Sequence, residues 1–185
     1  MRAVVVYESM YGNTHLVADA IGAGLRQSAE VSVIPLHKAE SSVLEDADLV
    51  VVGGPTHAHG MSRGSTRKAA VDAADKPDSG LRLDLDAEGP GLRDWFASLG
   101  RMTASAAAFD TRIDAPAALT GRASKGIARK LRRHGCALIA RPESFLVTKD
   151  SRLEDNEEAR ARNWGAQLAT SMTSPEQVGT RPSRA

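Results

Sequence analysis

Five apolar runs, each unbroken rather than alternating with polar residues, constrain this chain most: RAVVVY at 2–7, VSVIP at 31–35, DLVVVG at 48–53, ASAAAF at 104–109 and CALIA at 136–140, with ESFLVT at 143–148 extending the last. A strand with one wet face alternates. A continuous, largely β-branched run belongs to a strand covered on both faces, the condition of a parallel sheet. Helical patterns fill the intervals. From Asn13 to Ser28 the residues Leu16, Val17, Ala20, Ile21 and Leu25 recur at helical spacing, leaving Asp19 and Arg26 for the other face. Shorter helices are expected over 41–46 and 92–99, and a longer one over 123–134 with Gly135 as its stop. A last helix over 153–168 has Glu154, Asp155, Glu157 and Glu158 first and Arg160 and Arg162 later, the order a helix dipole favours. Strand and helix alternate five times, which predicts a three-layer, doubly wound α/β sheet of five parallel strands. Its ligand site lies beyond the carboxyl ends of the strands.

At 185 residues the chain suffices for one sizeable core, and a single domain over 1–172 is expected. Residues 61–91 are rich in Gly, Pro, Asp and Arg and too long for a bare connection, so they read as an inserted loop with a helical piece near 65–74 that flanks the ligand edge. The polar tail 173–185 reads as disordered. Charges nearly balance, 24 Lys plus Arg against 23 Asp plus Glu, so no overall excess advertises nucleic acid or membrane. The single cysteine, Cys136, lies in an apolar run and reads as a buried thiol. No stretch of ~18 apolar residues occurs and the opening run is too short for a signal peptide; a soluble cytoplasmic protein without membrane insertion is expected.

Directly after the first run comes Glu8-Ser9-Met10-Tyr11-Gly12-Asn13-Thr14, leading straight into the first helix. A helix N-terminus offers unpaired N–H groups and a partial positive charge, and Ser9, Tyr11, Asn13 and Thr14 add polar side chains around a glycine suited to a tight turn. Such a loop can hold a phosphate monoester without lysine or arginine. No G-x-x-x-x-G-K-[ST] occurs, and Gly22-Ala23-Gly24 lies within a helix, so neither the Walker nor the dinucleotide fingerprint is met. The plain structural reading is that these residues merely cap the helix.

The segment Ser9-Met10-Tyr11-Gly12-Asn13-Thr14 resembles the FMN phosphate loop of the flavodoxin family, S/T-x-T/Y-G-x-T. Gly53-Gly54-Pro55-Thr56-His57-Ala58-His59-Gly60 is similar to the G-x-P-T loop that lies against the flavin in quinone-reductase members, and Phe109-Asp110-Thr111-Arg112 stands where the family places its second ring loop. The resemblance spans about residues 1–170 and implies a flavodoxin-like strand order 2-1-3-4-5. It also implies an FMN-binding redox protein, and a redox partner protein or small-molecule acceptor. It assigns the phosphate to Ser9, Met10, Tyr11, Gly12, Asn13 and Thr14, and the ring to Pro55, Thr56, His57, Ala58, His59 and Gly60 on one side and Asp110, Thr111 and Arg112 on the other. Electron transfer and NAD(P)H-dependent reduction of a small acceptor such as a quinone, by an FMN-dependent oxidoreductase, both stay open; two departures take weight from a pure one-electron carrier, since the ring loops lack the usual sandwiching aromatics and the chain is not acidic.

Other readings are weaker. His57 and His59 lack a third ligand at metal spacing. The basic run from Arg122 to His134 has no interleaved aromatics to stack bases, and Ile127, Ala128 and Leu131 give its helix an inward face, so nucleic acid is not the expected partner. A phosphoacceptor receiver domain needs an acidic pocket, and only Glu8 is offered. A flavodoxin-fold domain that binds another flavin-like cofactor, or none, with a regulatory or interaction role, is the remaining alternative.

Overall fold

In the computed structural model, which describes residues 1–173, each apolar run forms a strand with its alternate residues on opposite faces. Strand β1 (Arg2–Tyr7) lies at the centre, paired in parallel with β2 (Glu30–Pro35) on one side and β3 (Leu49–His57) on the other. Strand β5 (Ser105–Ile113) pairs in parallel with β3, and the far edge is shared by β6 (Ala137–Leu138) and β7 (Glu143–Val147), both parallel to β5. The parallel order is therefore the expected 2-1-3-4-5, with the fifth position split between two short strands. Ala106 pairs with Leu138 and Phe109 with Glu143, so four residues (139–142) oppose two on β5, and the edge bends at Ala140 to take up the two extra residues. The added β4 (Gly60–Met61) returns antiparallel onto the end of β3.

Both faces of the sheet are covered, as unbroken runs require. Val4, Val6, Val50, Val52, Ala106 and Ala108 pack with Leu92, Trp95 and Phe96 of α4 (Leu92–Ser98) and Ile127, Ala128 and Leu131 of α6 (Ala123–Arg133). Trp95 is anchored by a hydrogen bond from Nε1 to the Ala39 carbonyl, 2.7 Å, just ahead of the short α2 (Ser41–Leu44), and Cys136 lies buried in this layer. Burial raises the pKa of its thiol, consistent with a core residue rather than a nucleophile. On the opposite face Val5, Leu49, Val51, Ala107 and Phe109 pack with α1 (Asn13–Leu25) and α7 (Glu157–Thr173). Leu16, expected to point inward, is half exposed; the buried arc of α1 runs through Thr14, Val17, Ala18, Ile21 and Leu25.

Where α1 crosses α7 the backbones touch. A Cβ on Gly24 would sit 2.0 Å from the Arg162 carbonyl oxygen, and one on Gly165 2.2 Å from that of Ile21. The Phe109, Phe145 and Trp164 rings meet edge to face at 6.1–6.5 Å beneath this crossing. At the outer edge Arg160 stacks 4.4 Å over Phe145 and pairs with Glu143 and Glu157, each at 2.6 Å. The Glu157 carboxylate also accepts the Leu146 N–H of β7, 2.9 Å, and Arg160 donates to the Ser144 carbonyl.

Three segments depart from the sequence expectation for a common reason, pairing supplied from outside the local sequence. Residues 54–57 and 110–113 read as loops but continue β3 and β5, because Gly54 and Pro55 lie in register with Asp110 and Thr111. Residues 153–156 precede α7 instead of starting it, with Leu153 bridging to Val147. Within residues 61–91, α3 (Gly64–Ala74) forms, and the segment is tied beneath the first loop by the Asp84 N–H to the Met10 carbonyl, 2.8 Å. The tail read as disordered lies, from residue 174 on, outside the described residues.

Candidate functional site

Beyond the carboxyl ends of β1, β3, β5 and β7 lies a cleft of about 200 Å³. The first loop supplies its floor. Gly12 adopts φ 86°, the left-handed conformation that turns the chain from strand to helix, and no side chain caps α1. The Leu16 N–H closes the first turn on the Gly12 carbonyl, 2.9 Å, whereas the amides of Tyr11, Asn13, Thr14 and His15 find no acceptor among the described residues. Ser9 Oγ accepts the Gly12 N–H at 3.1 Å, keeping its own proton free to donate. Open amides at the positive end of a thirteen-residue helix form an anion cradle.

Met10, Tyr11, Asn13, Thr14, Pro55, Thr56, His57, Thr111 and Arg112 all line the cleft, so residues from three strand ends meet there. Thr14 and Thr111 share a buried hydroxyl–hydroxyl bond of 2.8 Å that ties the first loop to β5. Two side chains are already engaged: the Tyr11 hydroxyl donates to the Ala70 carbonyl, 2.9 Å, and Asn13 Nδ2 to the Ser151 carbonyl, 2.8 Å. Burial, and to a lesser degree the Arg67 charge, lowers the pKa of His57, so its ring is neutral at pH 7.

Six other candidates lie off the cleft. Ser9 and Gly12 shape the loop from behind. Asp110 is fully buried and accepts the Ser124 N–H at 2.7 Å, while Thr56 Oγ1 accepts that of Ala123 at 2.9 Å; together they hold the start of α6. Ala58 and His59, at φ 44° and 71°, form the two-residue turn of the β3–β4 hairpin, the pattern of a type I′ turn. His59 and Gly60 face a second, separate cavity. Ile113, Val147 and Ser151 line the cleft and were not found from the sequence. The signal was present: a run at 143–148 read as a strand implies a loop beyond its carboxyl end on the same rim.

Glu8 fastens the 61–91 segment under the site. Its carboxylate accepts hydrogen bonds from the Ser62 hydroxyl and, at 2.8 Å, from the Leu92 N–H. Burial outweighs both and raises its pKa above 4.5. Because the folded protein holds this proton more tightly than the unfolded chain, Glu8's contribution to stability is full below the ordinary pKa and is lost as pH rises through the folded value. Glu8→Gln keeps one acceptor and one donor without charge. Urea unfolding should therefore find Glu8→Gln close to wild type at pH 4 and more stable at pH 8; a variant less stable at both would show the charge to be needed.

The sequence matches the family model for flavodoxin over residues 5–109, more than half of the chain. This chain belongs to the flavodoxin family. Solved structures agree on the fold. An archaeal flavodoxin superposes with a TM-score of 0.64 at 23% identity, covering 94% of this chain and 100% of that one. Oxidised flavodoxin 1 from Bacillus cereus gives 0.62 at 22% identity, covering 92% and 98%. A WrbA-like flavodoxin from Agrobacterium tumefaciens gives 0.55 at 20% identity, covering 93% and 97%. No curated protein matches the sequence. FMN is the family's cofactor and flavin-based redox chemistry its function, passed on to redox partners. The cleft of this flavodoxin fits that group: the uncapped amides suit the phosphate, and the Arg112 Nε, buried without an acceptor, is a donor awaiting a polar edge. No helix among the described residues is long and apolar enough to cross a membrane.

Proposed function

We propose that the cleft holds FMN with its phosphate on the amides of residues 11–15 and its ring beside Pro55, Thr56, His57, Thr111 and Arg112, and that the loaded protein is an oxidoreductase for a small planar acceptor such as a quinone. The observation that carries this reading is the cleft wall itself. Among the described residues its aromatic side chains are Tyr11 and His57, and the Tyr11 hydroxyl is bound to Ala70, so no aromatic pair from the ring loops closes both faces. An open face admits a second planar molecule.

FMN supplies the electron chemistry once bound. Around it the chain's own groups bind and orient: Thr14 and Thr111 fix the first loop against β5, neutral His57 offers an uncharged ring, and Arg112 brings the one cation that lines the cleft among the described residues. Arg112 is held by bonds to the Ile113 carbonyl, 3.2 Å, and the Ala115 carbonyl, 2.6 Å, neither of which cancels its charge. Its charge favours the more negative, reduced state of a bound ring.

The purified protein should carry visible flavin absorption and oxidise a reduced nicotinamide dinucleotide faster when a quinone is added. Arg112→Ala should make the flavin harder to reduce by about 30 mV, equivalent to ~1.4 kcal/mol for a two-electron couple. Turnover with a protein reductase alone, and none with quinones, would assign an electron carrier. An unchanged potential would place Arg112 away from the ring.

A further inference from the structure

A second concavity lies apart from the cleft. A groove of about 740 Å³ runs between α5 (Ala117–Thr120), α6 and the β3–β4 hairpin. It lies along Arg93, Arg122, Lys125, Arg129, Lys130 and Arg133. Of the 24 cations in a chain of net charge +1, six thus line one concavity that no carboxylate of the described residues lines. Among the described residues none of the six has an acidic partner within 4.0 Å; the ion pairs of this protein use other cations.

Two of the six are held in place without being neutralised. The Arg93 guanidinium donates to the Ser62 and Met61 carbonyls at 3.0 and 3.2 Å, and that of Arg122 to Ser144 Oγ and the Pro142 carbonyl, both at 2.9 Å. Each keeps its full charge and an unused Nη1. Lys125, Arg129 and Arg133 recur every four residues, one above another along ~12 Å of helix face. Small residues line the hollow: Ala117 and Ala118 on one wall, Gly126 on the other, and Gly121 at the head, where close packing against the His59 backbone leaves no room for a Cβ, which would meet it at 2.3 Å.

From these features we infer that the groove is a binding site for a small organic anion carrying a diphosphate. Guanidinium forks and ammonium groups spaced along a wall match several phosphate oxygens at once. The volume is that of a small-ligand site. A protein or duplex would need no such hollow, and the groove offers no aromatic platform for bases beyond His59. The site rests on the groove alone and stands whether or not the cleft takes FMN.

Isothermal titration of the full chain, both saturated with FMN and free of it, with ADP and with inorganic pyrophosphate tests this. One saturable site is expected in both forms, weakening from 50 to 200 mM KCl. Lys125→Gln/Arg129→Gln/Lys130→Gln should lose at least tenfold in affinity with an unchanged circular dichroism spectrum. Arg132→Gln, on the same helix but outside the groove, should stay within twofold. Absence of saturable binding would overturn the site, as would an equal loss in Arg132→Gln, which would reveal only a diffuse basic field. Tighter binding of polyglutamate than of ADP would assign the face to an acidic protein and equally refute it.

Discussion

Riboflavin is expected to bind this protein at least a hundredfold more weakly than FMN. The two differ only in the phosphate, and the N-terminus of α1 is arranged for little else: no side chain caps it, and the amides of Tyr11, Asn13, Thr14 and His15 have no acceptor among the described residues. A charge-assisted hydrogen bond contributes ~1.5–3 kcal/mol, so even two of them amount to more than two decades in affinity. Thr14 adds a hydroxyl whose position is set by Thr111, 2.8 Å away, and Thr14→Ala should cost roughly ten- to a hundredfold through the lost donor. Thr111→Val leaves the amides untouched and should cost less. Fluorescence-quenching titrations with both flavins measure all of this. Equal affinities for riboflavin and FMN would remove the loop from the site.

Gly165→Ala should be among the most destabilising single-methyl additions this fold can receive. The new Cβ would lie 2.2 Å from the Ile21 carbonyl oxygen and 3.0–3.1 Å from its carbonyl carbon and Cα, all backbone atoms of α1 that no rotamer change can move aside. Gly24→Ala drives the reverse collision against Arg162 and Ala166 of α7. Overpacking of a close-packed interior costs ~1–3 kcal/mol, more where only backbone can yield. We expect about 3 kcal/mol for either variant, a fall in Tm of ~6–12 °C at this chain length. Thermal unfolding followed by circular dichroism checks it. A loss below ~0.5 kcal/mol would mean that the two helices separate freely. Such freedom would contradict the packing of Ile21, Trp164 and Leu168 between them.

The sheet and the uncapped start of α1 were legible in the sequence because both are written locally. Unbroken runs such as Val4, Val5 and Val6 declare two covered faces, and a strand, a glycine turn and an amphipathic helix in immediate succession declare a helix N-terminus at the sheet's rim. What was illegible depends on distant partners. Nothing in Gly54-Pro55-Thr56-His57 announces a strand until β5 lies beside it. The two histidines of the turn, two positions apart, go to opposite sides of one hairpin, His57 to the cleft and His59 to the groove, because a tight reversal lies between them. Asp110 reads as a ligand residue by position, yet it serves the start of α6, a helix whose place above β5 no local pattern reveals. The basic run likewise read as a solvated helix face. Only the small residues of α5, opposite it in space, make it a groove.

The ionic arrangement of Glu143, Glu157 and Arg160 at the sheet's outer rim bears on how such a protein survives at high concentration. A terminal strand ordinarily displays a ladder of unclaimed amides and carbonyls, a template on which another chain can add itself and begin an aggregate. In β7 the Leu146 amide is claimed by Glu157 and the Ser144 carbonyl by Arg160, while Arg122 claims the carbonyl of Pro142 where the rim bends. An incoming strand would have to displace charged side chains already bonded in place, and it would meet a kinked backbone rather than a straight one. The rim is thereby protected from self-association, and the returning residues 152–154 complete the protection, with the Glu154 N–H on the Leu146 carbonyl at 3.0 Å.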